Sequence, residues 1–234
     1  MPFTAGKFDE FFAQYEKSGY PLLSHSEAYR DARKPHYRVV SARYIRLLPL
    51  ISAICARLEK GGNIVCALDG RAAAGKSTAA ALIADAFSEN GAPADVINMD
   101  DFFLPPELRT GKRLSERGGN VHYERFREEV LPNLRSGKPF SYRRFDCSKM
   151  QLGESKPLNG TRVTIVEGAY SLSDAVSLAP DISAFVTIDA KEQLERLRER
   201  DGERLLAFTD KWIPMEEAYI AFQNIEKRAD IIIH

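Results

Sequence analysis

The residues Gly70-Arg71-Ala72-Ala73-Ala74-Gly75-Lys76-Ser77 form a complete G-x-x-x-x-G-K-[ST] run, followed by Thr78. In a chain of 234 residues, those four fixed positions coincide by chance about one time in a hundred. Successive backbone N–H groups in such a loop converge on a phosphate chain, helped by the positive end of the helix that follows. Lys76 is placed to neutralise the terminal phosphates, and the Ser77 hydroxyl to bind Mg²⁺. The chemistry on offer is therefore that of a nucleoside triphosphate, with Gly70 to Thr78 as its binding residues.

Carboxylates recur where neighbouring apolar runs end. Asp100 and Asp101 follow Val96-Ile97-Asn98-Met99, and Glu167 follows Val163-Thr164-Ile165-Val166. Such groups beside a phosphate loop are suited to hold Mg²⁺ together with Ser77, which makes Asp100 and Glu167 metal candidates. One of them can also take the proton of an attacking hydroxyl. Arg196, Arg198, Arg200 and Arg204 cluster around Asp201-Gly202. Mobile arginines that close over a transferring phosphoryl group stabilise its charge, and Gly202 would serve as the hinge. The competing reading is a solvated helix, because Glu192 and Arg196 are spaced i,i+4.

These residues need strands that end together. From residue 63 short apolar runs alternate with helical segments, the pattern of βαβ units and a parallel sheet. The spacing predicts strands at 63–69, 95–99, 162–167, 183–189 and 229–233. Helices are predicted near 76–89, 121–136, 190–200 and 214–226. The expected fold is α/β: a five-stranded parallel sheet flanked by helices, of the P-loop nucleoside triphosphate hydrolase type. Ligands then bind at the C-terminal ends of the strands.

Ahead of this core, Phe8, Phe11, Phe12 and Tyr15 share one helical face, as do Ile45, Leu48, Ile51, Cys55 and Leu58 before Gly61-Gly62. Residues 1–61 are expected to be a helical extension packed on the core, with a homodimer interface as the sharper alternative. The segment 104–161 is rich in Pro and Gly, has little strand periodicity and is basic. It carries Arg109, Lys112, Arg113, Arg117, Arg125, Arg127, Arg135, Lys138, Arg143, Arg144 and Lys149.

Lys+Arg and Asp+Glu both number 33, so no general nucleic-acid-binding surface is indicated. Cys55, Cys66 and Cys147 show no metal-ligand spacing, and Cys55 and Cys66 are expected to be buried thiols. No apolar run has the length of a membrane span, and the first residues lack a signal-peptide core. A cytoplasmic protein without membrane or nucleic-acid partners is expected.

Asp69-Gly70 through Ser77-Thr78, Asp100-Asp101-Phe102-Phe103, Tyr142 to Asp146, Val166-Glu167-Gly168, Arg196 to Asp201 and Ala229-Asp230-Ile231-Ile232 occur in an order that resembles the uridine kinase and phosphoribulokinase family. The chain also looks like bacterial uridine-kinase-like proteins. The resemblance covers about residues 60 to 234. It implies a P-loop kinase domain over 62–234, an acceptor-binding insertion over 104–161 and a lid near 194–212. It further implies ATP and Mg²⁺ as cofactors, Asp100 as catalytic base, Lys76, Arg196 and Arg200 on the phosphates, and Asp230 leading to the adenine pocket. Asp100, Phe103, His122, Tyr123, Arg144 and Lys149 are the acceptor-binding candidates.

One departure matters. Phe145-Asp146 is followed by Cys147-Ser148-Lys149-Met150, without the histidine by which uridine and cytidine kinases recognise a pyrimidine. The expected activity is thus transfer of the γ-phosphoryl group of Mg·ATP to a hydroxyl of a nucleoside- or sugar-like acceptor. The alternative is a P-loop ATPase or nucleotide-dependent regulator. No Asn-Lys-x-Asp guanine element is present, which favours ATP over GTP. The basic insertion points to an anionic or phosphorylated acceptor, the alternative being that its arginines pair with Glu124, Glu128 and Glu129 or with ATP.

Overall fold

Asn63 to Asp69 has the unbroken apolar character of a strand covered on both faces. In the computed structural model, Ile64–Gly70 is strand β1 and each of its residues is buried. The structure describes residues 5–19, 25–35 and 41–234. They divide into two units, Met1–Ile45 and Arg46–His234.

The first unit holds helices α1 (Ala5–Lys17), α2 (Glu27–Arg33) and α3 (Ala42–Ile45). Within α1 the rings of Phe11 and Tyr15, one helical turn apart, stack at 5.9 Å between centroids. The Phe8 side chain of the expected aromatic stripe lies outside the described residues.

The second unit runs α4 (Leu48–Glu59), β1, α5 (Lys76–Glu89), β2 (Ala94–Asn98), α6 (Gly111–Ser115), α7 (Tyr123–Glu129), β3 (Phe140–Asp146), β4 (Gln151–Leu158), β5 (Val163–Glu167), β6 (Ile182–Val186), α8 (Ala190–Asp201), α9 (Leu205–Ala207), α10 (Ile213–Phe222), α11 (Ile225–Arg228) and β7 (Ile231–Ile233). Since the boundary falls after Ile45, α4 goes with the second unit. Its buried stripe is Leu47, Leu50 and Ile54, while Leu48 and Cys55 are exposed. The predicted stripe is therefore rotated, and Cys55 is a surface thiol rather than a buried one. Arg57 sets that rotation by donating from Nε to the Asp181 carbonyl at 2.8 Å.

The main sheet has the order β2-β5-β1-β6-β7, and every pairing in it is parallel. Leu68 and Asn98 both pair with Glu167, and Gly70 pairs with Val186. The register thus brings the ends of β1, β2, β5 and β6 to one edge. Against the sheet, α5 buries Ala79, Ala80, Ile83 and Phe87. The two alanines let helix and strand approach closely, and Ile83 and Phe87 fill the rest of the face.

Two predicted helices are interrupted. The segment from 121 is helical only over α7, because Pro132 lacks the N–H needed for a helical bond and disfavours the α conformation before it. The segment from 214 breaks at Asn224, which is left-handed at φ 52, and resumes as α11.

The segment 104–161 contains a structure that its sequence pattern conceals. Strands β3 and β4 form an antiparallel hairpin whose register shifts between Arg143 and Phe145. Tyr142 and Phe145 are both buried although three residues apart. A bulge turns both onto one face and breaks the two-residue alternation by which strands are recognised. Tyr142 lies 5.0 Å from Phe102, which meets Phe126 edge-on at 5.1 Å. This aromatic cluster fastens the hairpin and α7 to the turn after β2, where Asp100 stands.

Candidate active site

The loop between β1 and α5 begins with a glycine whose backbone conformation and surroundings leave no room for a side chain. Gly70 has φ 147, and a Cβ there would lie 2.1 Å from the Val186 carbonyl oxygen. Gly75, at φ 94, caps α5 and leaves the first N–H groups of that helix open to an anion. Lys76 folds back and donates from Nζ to Gly70 O at 2.9 Å and Arg71 O at 2.8 Å. Arg71 turns away from the loop. Its guanidinium binds Glu217, Thr187 and Glu226 at 2.6 to 2.8 Å and anchors the loop to α10 and α11.

Ser77 Oγ donates to Glu167 Oε2 at 3.2 Å, so the end of β5 meets the start of α5. Asp100 lies on the 3-10 turn after β2, where Asn98 Oδ1 accepts its backbone N–H at 2.8 Å. Burial pushes the Glu167 carboxyl above its usual range, against the Ser77 hydrogen bond. Asp100 is exposed where it borders the cavity; partial desolvation raises its carboxyl too, and Lys76 opposes the shift. Among the described residues no group of three or more His, Cys, Asp or Glu could hold a metal unaided. Ser77 and Glu167 are instead hard oxygen donors in small number. They suit Mg²⁺, which keeps waters and substrate phosphates in its shell.

One cavity of about 690 Å³ collects the phosphate loop with Asp100, Glu167, Phe103, Arg196 and Arg200. Arg196 donates from Nη1 to the Ala73 carbonyl at 3.1 Å and pairs with Glu192 at 2.5 Å. Arg200 pairs with Asp201 at 2.7 Å. Arg198 does not border the cavity, and the Arg204 side chain lies outside the described residues. Beyond Gly202 the chain continues through α9 and a π-helical turn, Phe208–Trp212, into α10. That turn contributes Phe208, Lys211 and Trp212 to the cavity wall.

No protein-family model matches the sequence, and no curated protein is similar to it. Solved structures do match. A structure described as a possible uridine kinase from Bacillus stearothermophilus has a TM-score of 0.62 at 16% identity, covering 81% of this chain and 100% of that one. A putative fructose transport system kinase from Silicibacter sp. TM1040 has a TM-score of 0.64 at 23% identity, covering 80% of this chain and 98% of that one. The D-glycerate 3-kinase from Cryptococcus neoformans var. grubii scores 0.56 at 14% identity, with 80% and 90% covered. The chain shares its fold with these structures.

Within this fold the acceptor-binding candidates separate. Asp100 and Phe103 border the cavity, whereas His122, Tyr123, Arg144 and Lys149 do not. His122 precedes α7 and donates its backbone N–H to the Phe102 carbonyl. Tyr123 bonds Arg113 and Glu116. Arg144 pairs with Asp101 at 3.2 Å and Lys149 with Asp146 at 3.7 Å. Asp230 is also elsewhere. It accepts from Ser183 N and Oγ at 2.8 and 2.7 Å, at the foot of β6 and β7. Ser183 pairs with Ala67, three residues short of the loop edge, so Asp230 sits about 10 Å below it.

Several further groups lie outside the site candidates named from the sequence. Asp69 is buried and accepts four hydrogen bonds, from Gly70 N, Tyr170 N, Leu172 N and Tyr219 Oη. In the sequence it opens the loop segment, with no role given to it there. Glu216 Oε2 accepts the Ala72 backbone N–H at 2.9 Å. Arg109, Asn120 and Cys147 border the cavity from the insertion. Arg46, just before α4, places Nη2 3.4 Å from where a Cβ on Gly75 would stand.

Proposed function

We propose that this protein is a small-molecule kinase that transfers the γ-phosphoryl group of ATP to an acceptor hydroxyl. One observation carries the reading: the anion-binding loop, the Ser77–Glu167 pair and the carboxylate of Asp100 share a single cavity with two arginines of the lid segment. The Lys76 ammonium and the α5 N-terminus hold the phosphates. Asp100 orients the acceptor hydroxyl and takes its proton as the oxygen–phosphorus bond forms and the bond to the ADP oxygen breaks. Its raised pKa brings it nearer the operating pH, which suits a general base. Arg196 and Arg200 stabilise charge on the transferring group. Ser77 and Glu167 would hold Mg²⁺, which when bound neutralises phosphate charge.

The neighbours' descriptions include uridine, fructose and glycerate, so the fold alone leaves the acceptor open. The test is ADP release by purified protein with Mg·ATP, with and without a panel of hydroxylated metabolites. Release that depends on one acceptor, and drops by about 10²–10⁴ in Asp100→Asn while ATP still binds, supports the kinase. Equal release without any acceptor would sink it in favour of an ATPase.

A further inference from the structure

We propose that the acceptor is a small polyhydroxylated anion, held by Arg109 and Asn120 with its reacting hydroxyl at Asp100; this rests on the kinase reading above. The structure sorts the basic residues of the insertion. Arg113, Arg125, Arg135, Arg143, Arg144 and Lys149 each pair with a carboxylate. Of the basic set marked in the sequence, only Arg109 borders the cavity. It spends Nε on the Leu104 carbonyl at 2.7 Å and has no carboxylate partner among the described residues. The remainder of its guanidinium fork is unspent. Lys211 borders the same cavity without a carboxylate partner among the described residues, its ammonium 4.7 Å from the Trp212 ring centre.

Asn120 supplies a second, independent observation. It is 7% exposed, borders the cavity, and its Oδ1 has no hydrogen-bond partner. A buried amide left in this state is costly, and a hydroxyl satisfies it whichever end of the amide faces the ligand. Asp100, Arg109, Asn120 and Cys147 all border the one cavity. A neutral acceptor would desolvate Arg109 and leave its charge uncompensated, whereas a carboxylate or phosphate pairs with the fork. The cavity must also take the donor's phosphates within its 690 Å³, so the acceptor is small.

Matched pairs test the idea: gluconate with glucose, glycerate with glycerol, and fructose 6-phosphate with fructose, alongside uridine. Binding is read by calorimetry with ADP present, and turnover by ADP release with Mg·ATP. The charged member of at least one pair should exceed its neutral partner by about tenfold or more in affinity and kcat/KM. The pair that responds tells carboxylate from phosphate. Arg109→Gln and the isosteric Asn120→Asp should each cut that affinity by about tenfold while ADP binding persists. Preference for a neutral sugar or uridine, or a charged preference that survives both variants, overturns the proposal. The two readings fail separately. Arg109-dependent binding of an anion without ADP release removes the kinase and keeps the site, and turnover of neutral acceptors alone does the reverse.

Discussion

Glu216 Oε2 accepts the Ala72 backbone N–H at 2.9 Å, so a carboxylate stands on the phosphate loop itself. The loop's N–H groups attract anions, and here one of them is satisfied by a side chain from α10. Burial pushes Glu216 up to about 7, against the pull of Lys76. Bound phosphates add negative charge close by and raise it further, so nucleotide binding takes up a proton. Below pH 7 Glu216 is already protonated and the uptake costs nothing. Above pH 7 ATP affinity should fall by up to about tenfold per pH unit, beyond the ionisation of ATP itself. Glu216→Gln should flatten that slope and bind ATP more tightly at pH 8. Calorimetry in buffers of different ionisation enthalpy measures the proton directly. Equal slopes in both proteins would rule the linkage out.

The same carboxyl affects stability with a defined sign. Its folded pKa lies above its unfolded value, so the native state binds the extra proton between about pH 4.5 and 7. Glu216 therefore subtracts stability as pH rises through that window. Thermal melts of the wild type and Glu216→Gln should converge near pH 4 and separate by pH 8, with the variant more stable.

Asp69 joins the end of β1 to the turn after β5 and to α10 through its four bonds. Burial pushes its carboxyl above the usual range, and the Leu172, Tyr219 and Gly70 donors oppose that shift. Asp69→Ala leaves three backbone N–H groups and the Tyr219 hydroxyl without an acceptor. A loss of about 3–5 kcal/mol is expected by chemical denaturation. Weaker ATP binding should accompany it, because Gly70 is one of the released groups. A variant within 1 kcal/mol of the wild type, on the ordinary scale of surface changes of about ±0.5 kcal/mol, would contradict this role.

Gly70→Ala meets a different obstacle. At φ 147, with Val186 O 2.1 Å from the new Cβ, the loop must separate from β6 to admit the methyl group. The strain exceeds what a soft torsion absorbs, so a loss of about 3 kcal/mol or more and defective ATP binding are expected. Thermal shift with and without ATP reads both.

What was legible in the sequence follows periodicity. Strands β1, β5 and β6 are covered on both faces and appear as unbroken apolar runs, and α5 was read to its bounds because motif and helix abut. The hairpin of β3 and β4 was not legible, since its bulge puts Tyr142 and Phe145 on one face and erases the alternation. In the site, Lys76, Ser77, Asp100 and Glu167 sit in motifs or at strand ends and were named. Arg109, Asn120 and Glu216 reach the cavity only through the tertiary fold. Conversely Arg144, an acceptor-binding candidate in the sequence, is paired with Asp101 from another part of the chain.

Arg46 is a half-buried guanidinium with no ion pair or hydrogen bond among the described residues, and it approaches Gly75 where α5 begins. Arg196 comes within 3.9 Å of the same point. Arg196 is paired with Glu192 at 2.5 Å, whereas no carboxylate among the described residues answers the charge of Arg46. A nucleotide phosphate on the loop would supply an anion. Arg46→Ala should therefore weaken ATP and ADP binding by about ten- to thirtyfold, at the value of a charge-assisted hydrogen bond. Arg46→Lys should recover part of the loss, since it keeps the charge without the fork. In the absence of nucleotide, Arg46→Ala should be as stable as the wild type or slightly more so, because it removes an uncompensated charge. Calorimetric titration with ADP and melts of the free protein test both parts. Unchanged ADP affinity, or a free protein markedly destabilised by the substitution, would show that Arg46 serves the fold rather than the nucleotide.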